Sequence, residues 1–130
     1  MTLRTRLLSL LLAAGLAATP ALAFQSQNNF TVRQLDNTSF EVLSRGGLSS
    51  TDAWCAAGDF VIRALGLPRN TPIWRISEPP RPSGQSMVFS LSAEGAASST
   101  GLATFGGGLS VSASHGQSLC WAASRLERGR

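Results

Sequence analysis

The chain predicts an α+β domain: one central helix packed against a curved antiparallel sheet of about five to seven strands, closed by one disulfide. Three observations predict it. Residues 52–65 form an apolar block at helical spacing with clear stop signals. Short segments on both sides of that block alternate apolar and polar residues. Two cysteines, Cys55 and Cys120, place one thiol on the block and the other near the end of the chain.

Residues 1–23 read as a signal peptide. Arg4 and Arg6 make the charged start, residues 7–18 the apolar middle, and Ala21-Leu22-Ala23 a small-residue cleavage site. The apolar run is shorter than the ~20 residues that a membrane span needs, so no span is expected after signal removal. The mature chain, residues 24–130, then has 107 residues, 130 less 23. That length suits one globular domain with one core. An exported chain with an even pair of cysteines is expected to carry the Cys55–Cys120 disulfide, in the periplasm or outside the cell.

Phe30 and Val32 alternate with Thr31 and Arg33, and Phe40 and Val42 with Ser39 and Glu41, around the turn cluster Asp36-Asn37-Thr38. This predicts an antiparallel hairpin. Residues 44–49, with Gly46 and Gly47, lead flexibly into the helix. The helix, over 52–65, starts at Ser50, Thr51 or Asp52, each able to cap the first turn. It stops at Gly66-Leu67-Pro68. Trp54, Cys55, Gly58, Val61, Ile62 and Leu65 share one face, leaving Asp52, Asp59 and Arg63 for a narrow polar stripe. Gly58 costs about 1 kcal/mol against alanine in mid-helix, which predicts a strand or the partner sulfur packed closely over it.

Residues 73–77 predict a strand with Trp74 and Ile76 on one face. The proline-rich run 78–84 is a loop. Residues 85–92 are the clearest strand, with Met87, Phe89 and Leu91 on one side. Residues 93–101 form a small polar loop, 102–105 a short strand broken by Gly106-Gly107-Gly108, and 109–113 another strand. A turn at 114–117 leads to a last strand at 118–123 carrying Cys120, and the charged tail 124–130 frays.

Composition excludes some functions. The mature chain has nine arginines against seven acids, a net charge of +2, and no lysine. That excess is too mild for a nucleic-acid footprint, and the arginine bias fits a GC-rich coding sequence. A Cys55, His115 and Asp59 triad can be written down, with Cys55 in the first turns of a helix where a thiol is acidified. Its competitor is pairing of Cys55 with Cys120. No G-x-S-x-G elbow, no C-x-x-C and no metal-ligand spacing occurs, and Gly106-Gly107-Gly108 is not followed by the residues of a phosphate loop. No cofactor is expected. Arg69, Arg75 and Arg81 flank the proline-rich loop and Arg125, Arg128 and Arg130 end the chain; arginine grips carboxylate or phosphate bidentately.

The run Asp52-Ala53-Trp54-Cys55-Ala56-Ala57-Gly58-Asp59-Phe60 resembles one in small exported proteins of alphaproteobacteria with no assigned activity. There a W-C-A-A-G-D block is followed by an R-x-L-G helix end, here Arg63-Ala64-Leu65-Gly66, and a strand with F-S-L, here Phe89-Ser90-Leu91. The resemblance implies export and a shared fold, and it carries over no catalytic residue. The expected function is therefore a non-catalytic binding or envelope-associated module acting through residues 69–84. Its partner is an anionic envelope component or another protein. The alternative is a thiol-dependent enzyme using Cys55 and His115.

Overall fold

A computed structural model describes residues 23–103 and 108–128, the side chains of 123–128 excepted. Six strands, β1 (Phe24–Gln25), β2 (Thr31–Gln34), β3 (Ser39–Val42), β4 (Pro72–Arg75), β5 (Met87–Ser90) and β6 (Ser110–Ser112), form one antiparallel sheet in the order β1-β2-β3-β5-β4-β6. Two helices join it: α1 (Ser50–Asp59), continued by a π-helical turn at Phe60–Ala64, and α2 (Ala113–Arg128). The α+β class and the single disulfide agree with the sequence; the second helix does not. Among the described residues, no helix is long and apolar enough to cross a membrane.

The β2–β3 hairpin forms where alternation placed it. Asp36 closes its turn by accepting from the backbone N–H groups of Thr38 (2.9 Å) and Ser39 (2.7 Å). With the Ser39 hydroxyl as the largest influence, these donors lower the Asp36 carboxyl to about 2. Register sets the buried face. Val32 sits opposite Val42, Phe40 opposite Phe89, and Ile73 opposite Val111, and all six are buried. A one-residue slip would turn every one of them to solvent.

Helix α1 lies on that face. Ser49, one residue before the expected caps, accepts from the Asp52 N–H at 3.1 Å. Trp54 meets Phe89 edge-on at 4.7 Å between centroids, and Phe60 tilts against Phe40 at 4.8 Å. Phe40 and Phe89 themselves stack at 5.9 Å across β3 and β5. Aromatics six residues apart on α1 and its π turn thus straddle a cross-strand aromatic pair, the centre of the core. The helix end widens to a π turn, with the Leu65 N–H reaching the Phe60 carbonyl. Gly66, at φ +64°, then lets the Leu67 N–H bond back to Val61, as the glycine and proline stop signals required.

Two expectations about this helix change. Asp59 is fully buried rather than part of a solvated stripe, although its ion pair with Arg63 forms at 2.7 Å. The polar stripe fails because the segment before β2 folds over it: the Gln27 backbone N–H and side-chain amide both bond the Asp59 carboxylate. Sequence reading also missed β1, a two-residue edge strand too short to show any period.

The last strand, 118–123, is instead part of α2, and so are the 114–117 turn and the start of the tail. Polar alternation over so few residues does not separate strand from helix. Capping decides it: the Ser112 hydroxyl accepts from the His115 N–H at 3.2 Å, while the Ala113 and Ser114 N–H groups reach the Thr71 and Arg69 carbonyls at 2.8 Å each. In helical register Ala113, Gly116 and Cys120 share one face, and that face meets α1. Cys55 and Cys120 form the disulfide, with 4.9 Å between Cα atoms, so the staple joins helix to helix.

Close to the bridge the two backbones touch. A Cβ on Gly58 would fall inside contact distance of the Ala113 carbonyl oxygen and the Gln117 nitrogen. One on Gly116 would lie 2.7 Å from the Trp54 carbonyl oxygen. Mid-helix Gly58 is therefore explained by a helix crossing, where a strand or the sulfur was expected. Gly58→Ala is expected to destabilise by about 2 kcal/mol: about 3 from overpacking against backbone, less about 1 gained in helix propensity. Thermal or denaturant unfolding reads it directly, and an unchanged or raised stability would remove the crossing as the reason for the glycine.

Candidate functional site

The three arginines flanking the proline-rich loop do not converge. Arg69 is exposed where the chain enters β4. Arg75, at the other end of that strand, is only 2% exposed, because register puts it on the core face beside Phe89. Its Nε donates to the Ser77 carbonyl at 2.6 Å, and one terminal nitrogen reaches the Ser50 hydroxyl and the Thr100 carbonyl at 3.4 Å each. Burial pushes the Arg75 guanidinium pKa down, against the opposing pull of Glu78. Among the described residues, the oxygens that bond this cation are neutral, and it sits at the amino end of α1, where a positive charge is not favoured.

Arg81 is half-buried and committed to its own loop. Its Nε donates to the Leu48 carbonyl at 3.3 Å, and one terminal nitrogen to those of Pro82 (3.2 Å) and Gln85 (2.7 Å). Glu78 accepts from the Ser98 N–H and hydroxyl, both at 2.7 Å. Those two bonds, the hydroxyl first, hold its carboxyl below the usual carboxylate range. The Thr100 carbonyl also accepts from the Trp54 indole at 2.9 Å. Gly101 lies so close that a Cβ there would sit 2.5 Å from both Arg75 and the Ser50 hydroxyl. Residues 97–101, the loop 78–85 and the start of α1 thus form one braced corner.

Outward from the corner point exposed Pro80, Pro82, Ser83 and Gln85. The neighbouring outer face of the sheet carries half-buried Trp74, Ile76 and Val88, with the Arg33–Glu41 ion pair beyond them. The expectation that Trp74 and Ile76 share a face is met, and that face is the outer one. Their neighbour Arg75, expected among the anion-gripping arginines, is instead buried. Its alternation with Ile73 was the available signal, outweighed by the expectation that an arginine faces water.

Cys55 is fully buried and bridged to Cys120. His115 is exposed on the first turn of α2, five residues before Cys120 and so about 140° round the helix from it. Asp59 is taken up by Gln27, Arg63 and Gln117. The candidate triad is not assembled. Gly106 and Gly107, weighed for a phosphate loop, lie outside the described residues, as does the predicted signal peptide up to Leu22. No protein-family model, no curated protein and no solved structure matches the chain.

Proposed function

We propose that the mature chain is an exported, non-catalytic binding module that contacts a protein partner through the loop 78–85. The observation that carries this reading is that the loop is exposed yet fixed. Glu78 is tied to Ser98, Arg81 to three backbone carbonyls, and the Gln85 N–H to the Pro82 carbonyl. A loop held in one shape binds without the entropy cost of being ordered, and it offers prolines rather than a moving charged side chain. Arg75 and Arg81 each commit their Nε and one terminal nitrogen internally, which favours a protein over an anionic envelope component as partner. Export is supported by the charged, apolar and small-residue segments of residues 1–23 and by the disulfide.

The test is site-specific photo-crosslinking in the producing cells. A crosslinker at Ser83 is expected to give one discrete adduct that a crosslinker at exposed Leu35, on the hairpin, does not give. Its yield should be unchanged when irradiation is done at high salt. Identical patterns at the two positions would overturn the assignment of the loop, and an adduct with lipid or glycan whose yield falls when irradiation is done at high salt would return the anionic partner.

A further inference from the structure

The two ends of the disulfide differ in access. Cys55 is fully buried on α1, between Trp54 and Ala56, which are also at 0% exposure. Cys120 is partly open, and the next residue, Trp121, is 64% exposed. In thiol–disulfide exchange the sulfur that an incoming thiolate reaches forms the mixed disulfide, so access selects the position.

The described part of the helix that carries Cys120 also buries little apolar side chain. Ala113 is the one fully buried apolar side chain among the described residues of α2, with Leu119 partly buried at the core's edge. Further contacts among the described residues include the Ala113 and Ser114 N–H groups on the Thr71 and Arg69 carbonyls, the Gly116 backbone against α1, the Gln117 amide on Asp59 at 3.2 Å, and the bridge itself. Helix α1, by contrast, seats Trp54 and, with its π turn, Phe60 and Val61 against the sheet. Apolar burial therefore holds α1 more firmly than it holds the described part of α2, where the bridge is the covalent tie.

We propose that a dithiol reductant opens the bridge from the Cys120 side, and that opening it releases α2 while the sheet and α1 stay folded. One thiolate of the reductant attacks the Cys120 Sγ. The S–S bond breaks, and Cys55 leaves as a thiolate that takes up a proton. The second thiol of the reductant then attacks the mixed disulfide and frees Cys120. Two electrons pass to the protein, two thiols form, and the reductant is left as its own disulfide. The face of α1 that α2 covers, around Cys55 and Gly58, is uncovered in the product.

The experiment uses the oxidised mature chain and two readouts. Brief exposure to glutathione, quenched with an alkylating agent, is followed by peptide mass mapping. Glutathione on Cys120 with alkylated Cys55 should exceed the reverse pattern at least about tenfold; equal labelling or an excess on Cys55 overturns the direction of attack. Amide exchange is then compared before and after full reduction and alkylation. Residues 114–122 should lose protection while the β2, β3 and β5 amides keep theirs. Retained protection in α2, or loss across the whole sheet together, overturns the release.

Discussion

Cys120→Ser is expected to lower the free energy of unfolding by about 4 kcal/mol, the chain-entropy value for a loop of this length. The bridge spans a sequence separation of 65 residues that includes β4, β5 and β6, so its removal frees a long segment of the unfolded chain. A domain of this size has about 5–15 kcal/mol in all, so the variant should still fold, with a much lower midpoint in denaturant. Its sheet should give the same far-ultraviolet signature, reduced by the α2 contribution. Equilibrium denaturation of the variant beside the oxidised parent makes the measurement. A loss below about 1 kcal/mol would mean that the unfolded chain gains little freedom, or that the bridge strains the fold by nearly as much as it stabilises it.

Asp59→Ala is expected to cost about 3 kcal/mol, because a fully buried carboxylate with four donors is removed. The donors are the Gln27 N–H at 3.0 Å, the Gln27 amide at 2.8 Å, the Gln117 amide at 3.2 Å and Arg63 at 2.7 Å. Arg63 is half exposed and can turn to water; the Gln27 backbone N–H has less freedom to do so. These donors come from three elements, so the carboxylate ties the N-terminal segment and α2 to α1. The loss should therefore have a local signature. Residues 24–27 should exchange their amides faster, and the Phe24–Phe60 contact, now 5.7 Å between centroids, should loosen. Asp59→Asn keeps the shape and should lose about half as much. A cost under 0.5 kcal/mol with unchanged exchange in residues 24–27 would show that the carboxylate holds nothing.

These residues also show why sequence alone went as far as it did. The hairpin and the α1 block could be read because each buries one face, and its period is written in Val32, Phe40, Val42, Trp54 and Val61. The pairing of Cys55 with Cys120 followed from there being two cysteines. What Cys120 sits on did not follow. Helix α2 docks through Ala113, Gly116 and the sulfur, and such small residues leave no apolar period to detect. Gly58 gave the useful hint, since a glycine in mid-helix announces close approach without saying by what. Arg75 and Asp59 were misread for one reason: a charged residue is assigned to water unless its partners are known. Here the partners that sequence does not announce are backbone carbonyls and the Ser50 hydroxyl for Arg75, and two glutamines distant in sequence for Asp59. The run 78–84 was placed correctly as a proline-rich loop, though the strand after it starts at Met87 rather than at 85, and the inward use of Arg81 depends on Leu48, 33 residues away in the chain.

The most direct test of an exported domain stapled through its helices is the intact mass of the protein recovered outside the cytoplasm. It is alkylated at its free thiols, with and without prior reduction. A chain beginning at Phe24 that takes no label until reduced, and then takes two, is the predicted result. A chain that still carries residues 1–23, or one that labels at Cys55 and Cys120 without reduction, would contradict it.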